Sequence, residues 1–249
     1  MTPEMMICVP GPWKDRTDFL QRVVAQTKGD FMFAGGILAN PKGKDHVPLE
    51  FCEPYTDMRR AFELAGQGKL PASVLDQVNA HQSVVYIRFP LDVIGQRDRL
   101  LKFTTVLRDV GGFAVKVESA GIAHTWDTWQ SLLSSDNPFD QYRGVVVLIG
   151  DEQCFYSCGM HHFNLPDCQT SRQLPIAEAA DTMNRFNYYQ IVERPTLASG
   201  HTFSLSADSP AYRLTLIGDA RHVEDEFFRN PQGLWNMERV EQAGGTLRR

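Results

Sequence analysis

Cysteine and histidine crowd one stretch of this chain: Cys154, Cys158 and Cys168 lie with His161 and His162 between residues 152 and 168. These are side chains that bind zinc or act as nucleophile and base. Three chemistries are therefore open: a metal centre, a Cys158 nucleophile activated by His161 or His162, or a strand and turn whose cysteines are core residues. Zinc holds its ligand atoms at about 2.0–2.3 Å, so ligands to one ion must converge. Cys154 and Cys158 stand four apart in a segment that leaves an apolar run, contains Phe155 and Tyr156, and stops at Gly159. That composition predicts a strand, in which residues four apart stand roughly 13 Å apart at ~3.3 Å per residue. One ion cannot bridge that gap. A nucleophilic thiolate needs a lowered pKa and an oriented base, and no Asn or Asp partner for either histidine is identifiable from sequence. The third reading places both cysteines on the inward face as inert core residues. His161 and His162 then sit at the rim of a turn, exposed or bonded to backbone. Neither a metal nor a cofactor is expected.

Other candidates are more scattered. Lys116 and Glu118 alternate with Val115 and Val117, so both project from the strand face opposite the valines. In a central strand they would line a cleft; on a half-exposed one they are ordinary solvent contacts. His124 precedes a segment with Trp126 and Trp129, which makes it either a base beside an aromatic pocket or a helix-start residue above a core. Glu50, Glu53 and Asp57 form a loose acidic set that fits a divalent cation or a solvated edge. The run Glu224-Asp225-Glu226 could meet a basic partner. No phosphate-loop, Rossmann, nucleophile-elbow, zincin or kinase motif occurs.

The elements that must position these groups follow from apolar periodicity. Strands are expected at 5–9, 31–39 (with a bulge or close backbone approach at Gly35-Gly36), 47–52, 83–89, 113–118, 144–149, 202–206 and 212–217. Helices are expected at 15–26, 58–65, 72–80 and 97–110, a short one after Thr125, and one at 176–192. Phe19, Leu20, Val23 and Val24 share one face of the first helix. The apolar residues Phe227, Phe228, Leu234 and Trp235 indicate that the tail docks, with about 240–249 frayed. The whole is read as one α+β domain over 1–249, with α/β-like alternation and one mixed, mostly central sheet flanked by helices.

Composition bounds the function. The chain has 249 residues, 43% of them hydrophobic and 22% charged, with a formal net charge of −5. That balance excludes the basic face of a nucleic-acid binder. No stretch reaches the ~20 apolar residues that span a bilayer. Glu4 and the early prolines do not read as a secretion signal. Five sparse cysteines point to a reduced, cytoplasmic setting.

Several phrases then carry a resemblance: Ile7-Cys8-Val9-Pro10-Gly11-Pro12-Trp13, Phe33-Ala34-Gly35-Gly36, residues 111–121 (GGFAVKVESAG), Ser157-Cys158-Gly159-Met160-His161, Tyr188-Tyr189-Gln190 and Asn230-Pro231-Gln232-Gly233-Leu234-Trp235. The chain resembles a group of uncharacterised bacterial cytosolic proteins, domain of unknown function family 4261, over nearly its whole length. The family brings no catalytic residues with it. Its resemblance to proteins encoded near toxin and type VI secretion clusters implies an immunity or accessory role, with a toxin as protein partner. The expected function is therefore non-enzymatic binding, with His161, His162, Lys116, Glu118 and His124 as candidate contact residues. The alternative is a hydrolase or transferase whose site gathers Lys116, Glu118, His124, Cys158 and His161.

Overall fold

The computed structural model describes residues 4–222 and 227–240. They divide into two compact units, 4–147 with 227–228 and 148–222 with 229–240. The fold class is α+β, with two sheets in place of the single mixed sheet read from sequence. The frayed tail expected at about 240–249 lies, beyond Val240, outside the described residues.

The first unit contains β1 (Glu4–Gly11), α1 (Arg16–Gln26), β2 (Met32–Ala34), β3 (Ile37–Asn40), β4 (Asp45–Cys52), α2 (Met58–Ala65), α3 (Ala72–Asn79), β5 (Ser83–Pro90), α4 (Arg97–Asp109), β6 (Val115–Val117), β7 (Ile122–His124), α5 (Trp126–Ser134) and α6 (Pro138–Val145). Its seven strands are ordered β2-β3-β4-β5-β1-β6-β7, with every pairing antiparallel. Asp15 caps α1 by accepting from the Thr17 and Asp18 amides, and Thr125 caps α5 through the Thr128 amide. On α1 only Phe19 and Val23 are buried, while Leu20 and Val24 face solvent, so the apolar stripe is narrower than the sequence indicated. Phe19 meets Trp13 and Phe33 edge-to-face, and Phe103 of α4 does the same against Phe31 and Phe89. These rings fill the space over one sheet face. On the other face α2 and α3 bring Met58, Phe62, Leu75 and Val78 onto Cys8, Val84 and Ala123.

Gly35 and Gly36 do not form a bulge. Both have positive φ (59° and 82°), and they close a two-residue hairpin in which Ala34 pairs with Ile37. That turn suits the right-handed twist of strands and favours glycine at both central positions. The cover supplied by α2 and α3 stops short of this hairpin. Register sets Ala34, Ile37 and Pro48 side by side, with Met32, Ala39 and His46 in the next row. Met32 is 45% and Ile37 36% exposed, and Ala34, His46 and Pro48 are also exposed.

The second unit contains β8 (Val147–Gly150, beginning at the boundary), β9 (Cys154–Cys158), a 3-10 turn at Met160–Phe163, β10 (Asp167–Ser171), α7 (Ile176–Glu193), β11 (Thr202–Ser204), β12 (Ala211–Ile217) and β13 (Leu234–Arg239). The strand order is β11-β12-β13-β10-β9-β8. β10 and β13 run parallel; the other registered pairs are antiparallel. α7 lays Ala179, Met183 and Phe186 on Phe155, Cys168, Leu214 and Trp235. Gly144 and Val145, read as strand, instead end α6, which Asn137 caps by accepting from the Phe139 amide. Among the described residues no helix is long and apolar enough to cross a membrane.

Candidate functional site

Strand β9 forms where the Cys/His segment predicts it, and Cys154 and Cys158 sit at its two ends. Cys158 is 2% exposed. The chain then turns at Gly159, whose φ of 124° is a conformation that a side chain disfavours. The expectation of rim histidines is overturned here. His161 and His162 are 2% and 0% exposed, with ring centroids 4.1 Å apart. The reason is the tight turn, which folds inward rather than out: Asn164 in the left-handed region returns its amide to the His161 carbonyl, and the Leu165 amide bonds the Met160 carbonyl.

What anchors that turn is a carboxyl group that the sequence reading passed over. Asp167 Oδ1 accepts from Ser157 Oγ at 2.8 Å and from the Met160 amide at 3.2 Å, while Oδ2 accepts from Asn230 Nδ2 at 2.6 Å. Ser157 Oγ in turn accepts the Cys168 amide at 3.0 Å. Asn230 links onward, its amide donating to Asp219 Oδ2 at 3.0 Å. Burial raises the Asp167 carboxyl to about 7, with Asp219 adding to the shift and the three hydrogen bonds opposing it. Ser157 and Asp167 are each 2% exposed. A serine beside a carboxylate suggests nucleophile chemistry, but both partners are spent on holding β9, β10 and the turn together. The only signal in sequence was an acidic residue opening an otherwise uncharged strand.

In the first unit, Lys116 and Glu118 pair with each other at 2.8 Å, their side chains 12% and 26% exposed. Register places Lys116 beside Cys8, and Cys8 beside Tyr86, on the face that α2 and α3 partly cover. Burial and the nearby Glu118 push the Cys8 thiol far above its ordinary range. It is therefore a core residue. His124 projects to the opposite face, buried, with Nε2 2.9 Å from the Gly144 carbonyl and its ring 6.1 Å from Trp129. Burial lowers its pKa to about 4, so the imidazole is neutral near pH 7. Of the loose acidic set, Glu50 is taken by Arg88 at 3.2 Å, and Glu53 and Asp57 are exposed.

The five side chains of the expected hydrolase or transferase site thus fall in different units: Lys116, Glu118 and His124 in the first, Cys158 and His161 in the second. Among the described residues, no three or more His, Cys, Asp or Glu side chains are grouped to hold a metal ion. Comparison of the chain with protein-family models, curated proteins and solved structures returned no match, so fold and site rest on the geometry above.

Proposed function

We propose that the protein is a non-enzymatic, cytoplasmic binding protein that occludes a basic protein partner, with immunity against a bacterial toxin as the specific role. The observation that carries this reading is the open end of the first sheet. Met32, Ala34, Ile37 and Pro48 stand exposed there on neighbouring registered strands. Contiguous exposed apolar surface of this kind marks association sites. Glu50 on β4 is paired with Arg88 there, and the chain as a whole is net negative at −5, which favours encounter with a cationic partner. The side chains suited to catalysis are engaged elsewhere: Lys116 with Glu118, His124 with the Gly144 carbonyl, and Ser157 with Asp167. The likeness to family 4261 supplies the toxin as the partner.

The test is co-expression with toxins encoded beside the gene, followed by interferometry on any complex. A cognate toxin is neutralised by the wild type, and Ile37→Lys weakens binding by about tenfold or more, the effect of burying a charge in an apolar contact. If no such toxin is neutralised or co-purifies, the reading fails.

A further inference from the structure

We propose that His81 is a pH-sensitive latch: the neutral imidazole holds the loop between β4 and α2 in place, and protonation releases it. Both ring nitrogens are engaged, each with a main-chain group of one fixed role. Nδ1 lies 2.7 Å from the Val78 carbonyl oxygen, and Nε2 lies 3.0 Å from the Tyr55 amide nitrogen. A carbonyl only accepts and an amide N–H only donates, so the ring carries its hydrogen on Nδ1 and a lone pair on Nε2. That is the neutral form. A second proton, on Nε2, sets one N–H against another, and the Tyr55 bond is lost while the Val78 bond is kept. Histidine is the side chain that changes charge between about pH 5 and 8. The latch is closed at the upper end of that span and open at the lower.

The two sides of the latch are held differently. His81 follows the last turn of α3, and the neighbouring Gln82 amide donates to the Gly11 carbonyl at 2.9 Å, which pins the backbone beside the ring to the end of β1. On the other side, residues 53–57 are all exposed, Tyr55 by 54%. Pro54 has no amide hydrogen to donate. Asp57, at the N-cap of α2, makes no side-chain bond to the helix. The Tyr55 carbonyl accepts from the Met58 amide at 3.1 Å, so the chain runs from the latch straight into the first turn of α2. Beyond that point Met58, Phe62 and Ala65 are buried, and Arg59 pairs with Asp76 of α3 at 2.6 Å. These contacts do not titrate with histidine, so opening is confined to the loop and the start of α2, at the edge of the cover over the first sheet. The charged side chains on the elements that meet at the ring are Glu53 and Asp57 in the loop, Arg59 and Arg60 of α2, Asp76 of α3 and Lys14 beyond β1. The latch does not depend on the open face being a partner surface.

The experiment is proton–nitrogen NMR of the full chain between about pH 8 and about pH 5. At the upper end the His81 ring should show the Nδ1–H tautomer. The exchange rate of the Tyr55 amide, corrected for the intrinsic pH dependence of exchange, should rise by roughly two- to tenfold at the lower end, the worth of one hydrogen bond. The Gln82 amide, bonded to Gly11, should not change. His81→Gln offers the Tyr55 amide a carbonyl oxygen that does not titrate, and should keep it protected at both ends of the range. His81→Ala should leave it unprotected at both. An Nε2–H tautomer at the upper end overturns the latch, as does Tyr55 protection that is equal at the two ends in the wild type. A pH dependence that persists in His81→Gln overturns His81 as its source. Should His81→Ala fail to fold, the tautomer and the His81→Gln comparison decide.

Discussion

Asp167 shows how one side chain can dominate a local structure without doing chemistry. Its three donors lie on β9, the Gly159 turn and the segment before β13. Asp167→Ala leaves three buried donors unmet, and urea unfolding should show a loss of about 2–4 kcal/mol. The pH dependence has a definite sign. Between about 4 and about 7 the folded chain keeps a proton that the unfolded chain, with an ordinary carboxyl near 3.8, has released. Stability from this group is therefore complete below about 4 and declines as pH rises through about 7, by at most ~1.4 kcal/mol per pH unit. The stability difference between wild type and Asp167→Asn, followed by urea titration from about pH 4 to 8, should shift against the wild type as pH rises. A flat difference would show that the three hydrogen bonds hold the carboxyl ionised throughout. The residue was not legible in sequence as anything but a polar strand position, because its partners are contributed by segments up to 63 positions away.

At the scale of elements, local signals were readable wherever they were strong. The strand at β9, the helix α4 over Arg97–Asp109 and the short helix after Thr125 all stand as read from sequence. Helix α6 was hidden because Gly144 to Ile149 reads as an unbroken apolar run, although Asn137-Pro138 carries the cap and first-turn proline of a helix start. Asn137→Ala should cost about 0.5–2 kcal/mol by removing that cap, measurable as a lower thermal midpoint. β13 was read only as a docked apolar tail, yet Leu234, Trp235 and Met237 face cover while Glu238 and Arg239 face solvent. Its parallel pairing with β10 spans 67 positions, a contact that no local pattern announces. The Gly159 turn is the clearest failure of local reading: a glycine predicts a turn, but not whether the next two histidines point to water or into the core.

For the whole molecule, the decisive feature is that each unit has its own core, one built on Phe62, Val78 and Val84 and the other on Met183, Phe186 and Trp235. Cooperative units of this kind open separately. Phe186→Ala should therefore raise hydrogen exchange in β9, β10, β12 and β13 and leave β1 and β5 unaltered, as read by mass spectrometry. The net charge of −5 adds a second expectation, that association with a basic partner slows as salt is raised, because screening shortens the reach of the field. By itself the sequence determined the α+β class, the positions of most strands and helices, and the strand spacing that keeps Cys154 and Cys158 from sharing one ion. These depend on periodicity and caps within a few residues. Only the tertiary structure decided that there are two sheets, that His161 and His162 are buried, and that Asp167 joins three segments. Those outcomes depend on contacts between distant positions, whose free energy is realised only after the chain has closed the loops between them.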